Sequence, residues 1–421
     1  MQSSTRSTGS VRPMRADAPA VPAPAVPEAS SPPLRSRGAQ IAAVLSLALG
    51  IFILITIEEL PIGVLTIMSA DLGVTPGITG LAVTLPGVVA ALVALATPVV
   101  IGLMDRRLVL VMALASVVLS CVLSVLAPNI QVLLASRVFT GIAIGMYWSV
   151  LPVVATRQVA PQHRTRALTL AMSGTGAALV LGVPFTAWLG SAVGWRASFA
   201  VVAVLAVVML VTIALVVRPV RSDEAIRPAD MARALRHRGV RYAAAMTGII
   251  VTAQFITYSY VSPLLQERAH VSAGSIGAML LAFGVAGLIG NFAVAPLLRR
   301  HPALAVLTIA LGIAGSLGVL ALAVHGPLGA ALVMPLWGAF AGAASVSIQS
   351  FVSRAAAEVE EPGTAINSAM FNVAIAAGAA IGGRIVDSLG LGATVATTVV
   401  LALLGAAICV RYLVRHARSE A

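Results

Sequence analysis

Residues 41–64 read IAAVLSLALGIFILITIEELPIGV. As a helix this run is long enough to span a bilayer. Yet it holds two adjacent acids, Glu58 and Glu59. A carboxylate in hydrocarbon is costly on every scale, so an intramembrane acid marks a functional site by default. One further acid, Asp387, sits near the interior of an apolar run. The pattern points to a protein that moves something across a membrane, with protons as the coupled ion.

Composition sets the class. The chain is 59% hydrophobic and 10% charged, with a mean hydropathy of +1.00. These values exclude an ordinary soluble globule and imply an all-α polytopic membrane protein. The net charge of +12 would suggest nucleic acid in a soluble protein. Here the basic residues, all arginine, are confined mainly to short stretches between apolar runs. Cys121 and Cys409 both fall inside apolar runs, which argues against a disulfide framework, and no metal-ligand spacing appears. Residues 1–40 open with a Pro-, Ala-, Ser- and Arg-rich tail, expected to be disordered and cytoplasmic. It does not resemble a secretory signal.

Twelve apolar segments can be marked, at 41–64, 78–100, 108–128, 131–154, 167–190, 197–217, 242–264, 275–298, 302–324, 328–351, 364–386 and 391–413. Twelve transmembrane helices in two pseudo-symmetric six-helix bundles follow, 41–217 and 242–415. A cytoplasmic linker, 218–241, joins them, and a short tail, 416–421, ends the chain. Of the 27 arginines, 23 fall on one side of this threading, which predicts both termini in the cytoplasm. The halves echo each other. Gly80, Gly87 and Pro98 in span 2 match Gly277, Gly284 and Pro296 in span 8, each followed by paired arginines. Parallel repeats around a midplane site are a transporter plan.

Several residues carry candidate mechanism. Gly174, Ala178 and Gly182 recur every four residues in span 5 and present a smooth face to another helix. Pro184 removes a helical hydrogen bond and permits a bend there. Arg137 is a charge inside span 4 and must find an anion or the interface. Counted from the predicted outer ends of their runs, Glu58 and Arg137 lie at equal depth, about 9 Å, so they are expected to meet. The arginine favours a charged carboxylate and burial disfavours it, a balance suited to a proton that comes and goes with conformation. Glu59 points about 100° away from Glu58 and cannot face the same partner. Asp105 and Arg106 follow span 2 and suggest a charge lock with a later loop. Tyr147, Trp148, Gln254, Tyr258, Asn291, Trp337, Phe371 and Asn372 outline a substrate path, joined by Tyr260, Gln349 and Asn367. Helix–helix hydrogen bonding is the plainer role for such buried polar groups. Trp188 and Trp195 are expected at the interface.

These residues resemble the major facilitator superfamily, and within it the twelve-span drug:proton antiporter group with its arabinose-efflux-permease-like members. The resemblance covers roughly residues 40–415. Ile57-Glu58-Glu59-Leu60-Pro61-Ile62-Gly63 is similar to that group's span 1 pattern Thr-Glu-Phe-Leu-Pro-Val-Gly, with Glu59 in place of an aromatic. Arg137-Val138-Phe139-Thr140-Gly141 resembles the span 4 Arg-x-x-x-Gly motif linked to proton coupling. Leu181-Gly182-Val183-Pro184, followed by Gly194-Trp195-Arg196, resembles the antiporter motif. The cytoplasmic loop departs from the family form: Gly102 precedes Asp105 by three positions rather than four, and no Gly-Arg follows.

The resemblance implies a proton-coupled secondary transporter that exports a small organic solute by alternating access. It implies a multi-pass protein of the cytoplasmic membrane, a monomer in lipid, with no cofactor beyond the proton gradient and no nucleic-acid partner. Glu58 would carry the proton, Arg137 would tune it, and Glu59 would share the load or face the solute. The other reading is a proton-coupled importer of a sugar, nucleoside or similar metabolite, against which the span 5 motif leans. A membrane-embedded enzyme or a receptor is a third, but no nucleophile–base pair or phosphate loop supports it.

Overall fold

The computed structural model of the protein describes residues 36–100, 104–221, 233–355 and 360–420. The amino-terminal tail through 35, Gly102, Arg227 and the side chain of Gln349 lie outside the described residues. Among the described residues, twelve helices are long and apolar enough to cross a membrane. We call them spans 1 to 12. They are Arg37–Leu72, Pro76–Val100, Arg106–Val125, Ile130–Arg157, Pro161–Val193 and Trp195–Val216, then Arg238–Tyr258, Ala273–Arg300, Pro302–Ala323, Pro327–Ala355, Glu360–Leu389 and Leu391–Glu420. With an even number of passes, residues 37 and 420 lie at one end of the molecule; the opposite end is called distal.

Local chemistry explains the helix ends. Ser36 and Asn129 cap spans 1 and 4 by accepting from Ala39 N and Val132 N. Span 1 stops at Gly73, whose φ of 63° is left-handed backbone that glycine adopts without strain. Its helix outruns the apolar run used to predict it, because Leu65 and Met68 remain buried beyond residue 64. Span 12 likewise runs through the expected tail to Glu420.

Prolines explain the breaks. Span 5 widens into a π-helical turn at Ala178–Gly182, just before Pro184, which offers no N–H to Val180 and would crowd its carbonyl. Span 7 was predicted as continuous to 264, but it ends at Tyr258. A turn at Ser259 and Tyr260 leads into a short helix, Val261–Ala269. Pro263 has no N–H for the Ser259 carbonyl, so the regular ladder cannot continue through it. Span 8 breaks in the same way at Val294, before Pro296.

The buried apolar side chains gather into two large clusters. One, from Ala43 to Val220, comes from spans 1 to 6 and the start of the linker. The other comes from spans 7 to 12 together with Ile62, Leu65, Val83, Val183 and Ala187 of the first half. Outward faces carry exposed Leu, Val and Phe, including Leu92, Phe292 and Leu322, as a hydrocarbon solvent requires. Polar zippers join neighbours inside the first half: Ser120 with Thr140 and Ser124 with Ser136, each at 2.7 Å, tie span 3 to span 4.

The two halves meet along spans 2 and 11 and along spans 5 and 8. Glycine makes the approach possible. A Cβ on Gly284 would lie 2.5 Å from the Leu179 carbonyl, and one on Gly80 would meet the Tyr260 hydroxyl.

Candidate functional site

Span 1 delivers Glu58 and Glu59 to the middle of the bundle on different faces. Arg137 meets this stretch, as expected, but not through the Glu58 carboxylate. Its Nη2 donates to the carbonyl oxygens of Ile57 at 2.9 Å and Glu58 at 3.2 Å, and its Nε donates to that of Ala82 at 2.9 Å. The sequence explains the choice. The Ile57 carbonyl would normally accept from residue 61 and the Ala82 carbonyl from residue 86. Both positions are proline. Pro61 and Pro86 each free a carbonyl inside the membrane, and Arg137 satisfies both. Arg137 therefore pins spans 1, 2 and 4 together.

The two residues stand level, as expected, but not by equal counts from their helix ends. Glu58 stands about 21 Å from the end of its helix and Arg137 about 10 Å from the start of its own. Nor is there an ion pair between them among the described residues. Instead two groups are left over. Arg137 Nη1 is buried with no hydrogen-bond partner. The carboxylate of Glu58, 8% exposed, has none among the described residues either.

Glu59 faces the other half. The Tyr258 hydroxyl of span 7 donates to its Oε2 at 3.0 Å. Tyr258 is stacked on Phe283 of span 8, with ring centroids 5.0 Å apart at 22°. Trp337 of span 10 packs edge-on to both rings, at 6.0 and 5.3 Å, and Phe255 does the same to Tyr258. Trp337 Nε1 donates to Gln254 Oε1 at 2.9 Å, which satisfies the indole. Thus Gln254, Tyr258 and Trp337 converge on one aromatic cluster linked to Glu59. Phe283 and Phe255 belong to it and were not singled out as site residues; Phe255 lies one turn before Tyr258, and Phe283 precedes Gly284.

The remaining candidates lie elsewhere. Tyr147 is wholly buried and donates to the Leu47 carbonyl at 2.9 Å, seated over Gly50, so it joins span 4 to span 1. Trp148 packs on the first-half core. Phe371 packs on the second-half core, and Asn372 turns back onto the Ser368 carbonyl of its own helix. Asn291 lies about 12 Å along span 8 from Phe283, with its Oδ1 buried and unpartnered.

Gly174 and Gly182 of span 5 press on span 1: a Cβ would meet the Ala48 carbonyl and Thr56 Oγ1, respectively. Pro184 lies at the start of the helix after the π turn, and its carbonyl faces Gly277 of span 8. Asp105 caps span 3 by accepting from Arg107 N, and it also accepts from Val220 N, both at 2.9 Å. The Arg106 amide donates to the Val220 carbonyl. The anticipated later loop is the start of the linker. Trp195, expected at the interface, is instead 2% exposed: its indole donates to Asp71 and Arg196 lies over its ring, while Trp188 is 53% exposed.

Residues 47–365 match the model of the Major Facilitator Superfamily. The chain belongs to that superfamily. It is 30% identical over 351 residues to the purine ribonucleoside efflux pump NepI of Escherichia coli, an alignment covering 83% of this chain and 88% of that one. A chloramphenicol efflux pump of Mycobacterium tuberculosis is 32% identical over 351 residues, covering 81% and 85%. Among solved structures, the nucleoside transporter NupG superposes with a TM-score of 0.71 over 86% of this chain and 99% of that one, at 12% identity. At that identity the likeness speaks for the fold alone. This superfamily member is a multi-pass membrane transporter of a small molecule, related to efflux pumps; family and relatives indicate transport rather than enzymatic catalysis.

Proposed function

We propose that this chain exports a small organic solute across the cytoplasmic membrane in exchange for protons, as a monomer with both termini in the cytoplasm and no cofactor. The observation that carries this reading is the pair of adjacent carboxylates at the centre, each turned to a different task. Glu58 lies beside Arg137, which keeps one unused nitrogen. When Glu58 loses its proton, Nη1 offers the new anion a partner; when it regains the proton, that pairing weakens. Glu59 lies at the junction of the halves, against Tyr258 and its aromatic neighbours. Solute held there would displace the Tyr258 hydroxyl and free residues 242–415 to rock against 41–217. Asp105 and the span 5 glycines keep the first bundle rigid through that motion.

The names of the efflux relatives set the first solutes to try, a purine ribonucleoside and chloramphenicol. The test is transport by purified protein in oriented proteoliposomes with an imposed pH gradient. Solute should move against the direction of proton flow and collapse with a protonophore. Movement of solute in the same direction as protons would favour the importer reading. Transport indifferent to the protonophore would remove the proton role.

A further inference from the structure

We propose that Asp387 is a distal clamp: a carboxylate of the second half that caps the first turn of span 2 in the first half, and must let go before the distal end opens. Asp387 lies in the last turn of span 11, exposed at the rim of the seam. Its Oδ2 accepts from Thr75 Oγ1 at 2.7 Å and its Oδ1 accepts from Gly77 N at 3.0 Å. A helix leaves its first N–H groups without internal partners. In span 2, Pro76 has none to offer, Ile78 N donates to Thr75 Oγ1, and Thr79 N donates to the Thr75 carbonyl. Gly77 N is the group left over. Its partner stands 310 residues away, in the other half.

The fit around the clamp is close. A Cβ on Gly77 would lie 2.3 Å from Asp387 Oδ2 and 2.4 Å from the Gly383 carbonyl. One turn deeper, Gly80 faces the Tyr260 hydroxyl, which donates to the Ala379 carbonyl at 2.7 Å. Thr66, Ser262 and Gln266 add neutral hydrogen bonds between span 1 and the short helix 261–269. Among the described residues, at Asp387 alone this seam brings a charged acceptor to a helix amino end, where a carboxylate is favoured by the dipole as well as by its donors. No ion pair to Asp387 is found among the described residues. Because donor and acceptor belong to different halves, separation at the distal end breaks both bonds at once. The clamp therefore biases the protein toward its distally closed state.

The proposal rests on the two-half motion of the proposed function, so its test reads distance rather than transport. The full chain, with Cys121→Ala and Cys409→Ala, takes spin labels at Leu126→Cys and Leu328→Cys. These are exposed positions at the distal ends of spans 3 and 10, in opposite halves. Pulsed dipolar spectroscopy in nanodiscs should give mainly a short distance. Asp387→Ala should raise the ratio of long to short distances about five-fold or more, the effect of losing a charge-assisted hydrogen bond. Asp387→Asn, with one carbonyl acceptor, should fall between. Thr75→Val removes one of the two bonds between the halves, together with the cap on Ile78 N, and should shift the ratio less and in the same direction. Distributions unchanged from the parent in Asp387→Ala, or in Thr75→Val if the former does not fold, would overturn the clamp even if proton exchange persists. A shift without proton-driven transport would leave the clamp standing and count against the transport reading alone.

Discussion

At Arg137 the guanidinium faces two helices, each interrupted by a proline. Its planar fork reaches the freed carbonyls of Ile57 and Ala82 together, which a lysine ammonium at the end of a flexible stem cannot do. Arg137→Lys should therefore leave a carbonyl unpaired in the membrane and cost about 1–3 kcal/mol. Thermal unfolding in detergent should show a lowered midpoint; an unchanged midpoint would mean the carbonyls are satisfied without the fork. Across the centre, Glu59→Gln, which removes the charge and keeps an acceptor, should weaken solute binding. Tyr258→Phe removes only the hydroxyl that the solute displaces, so it should bind solute at least as tightly as the parent. Weaker binding by Tyr258→Phe would contradict the displacement. Glu58, Glu59 and Arg137 were legible because charges in apolar runs are rare. The atoms Arg137 uses were not, although Pro61 and Pro86 stood in the sequence. Proline marks a missing donor, but only the packed helices show which cation collects the orphaned carbonyls. Similarly, Tyr147 looked like a cavity residue until Gly50 appeared beneath its hydroxyl.

Among the elements, span 5 carries the most explicit sequence signal and the clearest structural consequence. Gly174 and Gly182 lie against span 1 so closely that any Cβ must displace the Ala48 carbonyl or Thr56. Gly174→Ala should push the helices apart, with a loss of about 1–3 kcal/mol typical of overpacking. Gly176→Ala, where a Cβ would sit 3.7 Å from Leu288, should be tolerated. Comparing their unfolding temperatures checks the point; equal values would contradict the close approach. The stripe and the proline were readable from spacing alone. The π turn at Ala178–Gly182, within the stripe, was not, since its register depends on how span 5 seats on spans 1 and 8. Span 7 was misread for a related reason. Hydropathy runs unbroken past Tyr258 to Leu265, while the break comes from Pro263 and the turn it forces.

For the molecule as a whole, apolar runs and their spacing sufficed for twelve spans, because lipid demands helices of a fixed length. How the halves meet was beyond hydropathy: it depends on glycines of spans 2, 8 and 11 that lie against the facing half only after assembly. The arginine distribution further predicts sidedness. In intact cells an impermeant thiol reagent should label Leu126→Cys, and His163→Cys only after permeabilisation. The reverse pattern would invert the topology. The proposed exchange turns on Glu58 as carrier of the coupled proton. It is tested most directly by comparing wild-type and Glu58→Gln protein in proteoliposomes, for solute exchange at equal pH and for uptake driven by a pH gradient. Glu58→Gln should retain exchange but lose gradient-driven accumulation. Full proton-driven transport by Glu58→Gln would contradict it.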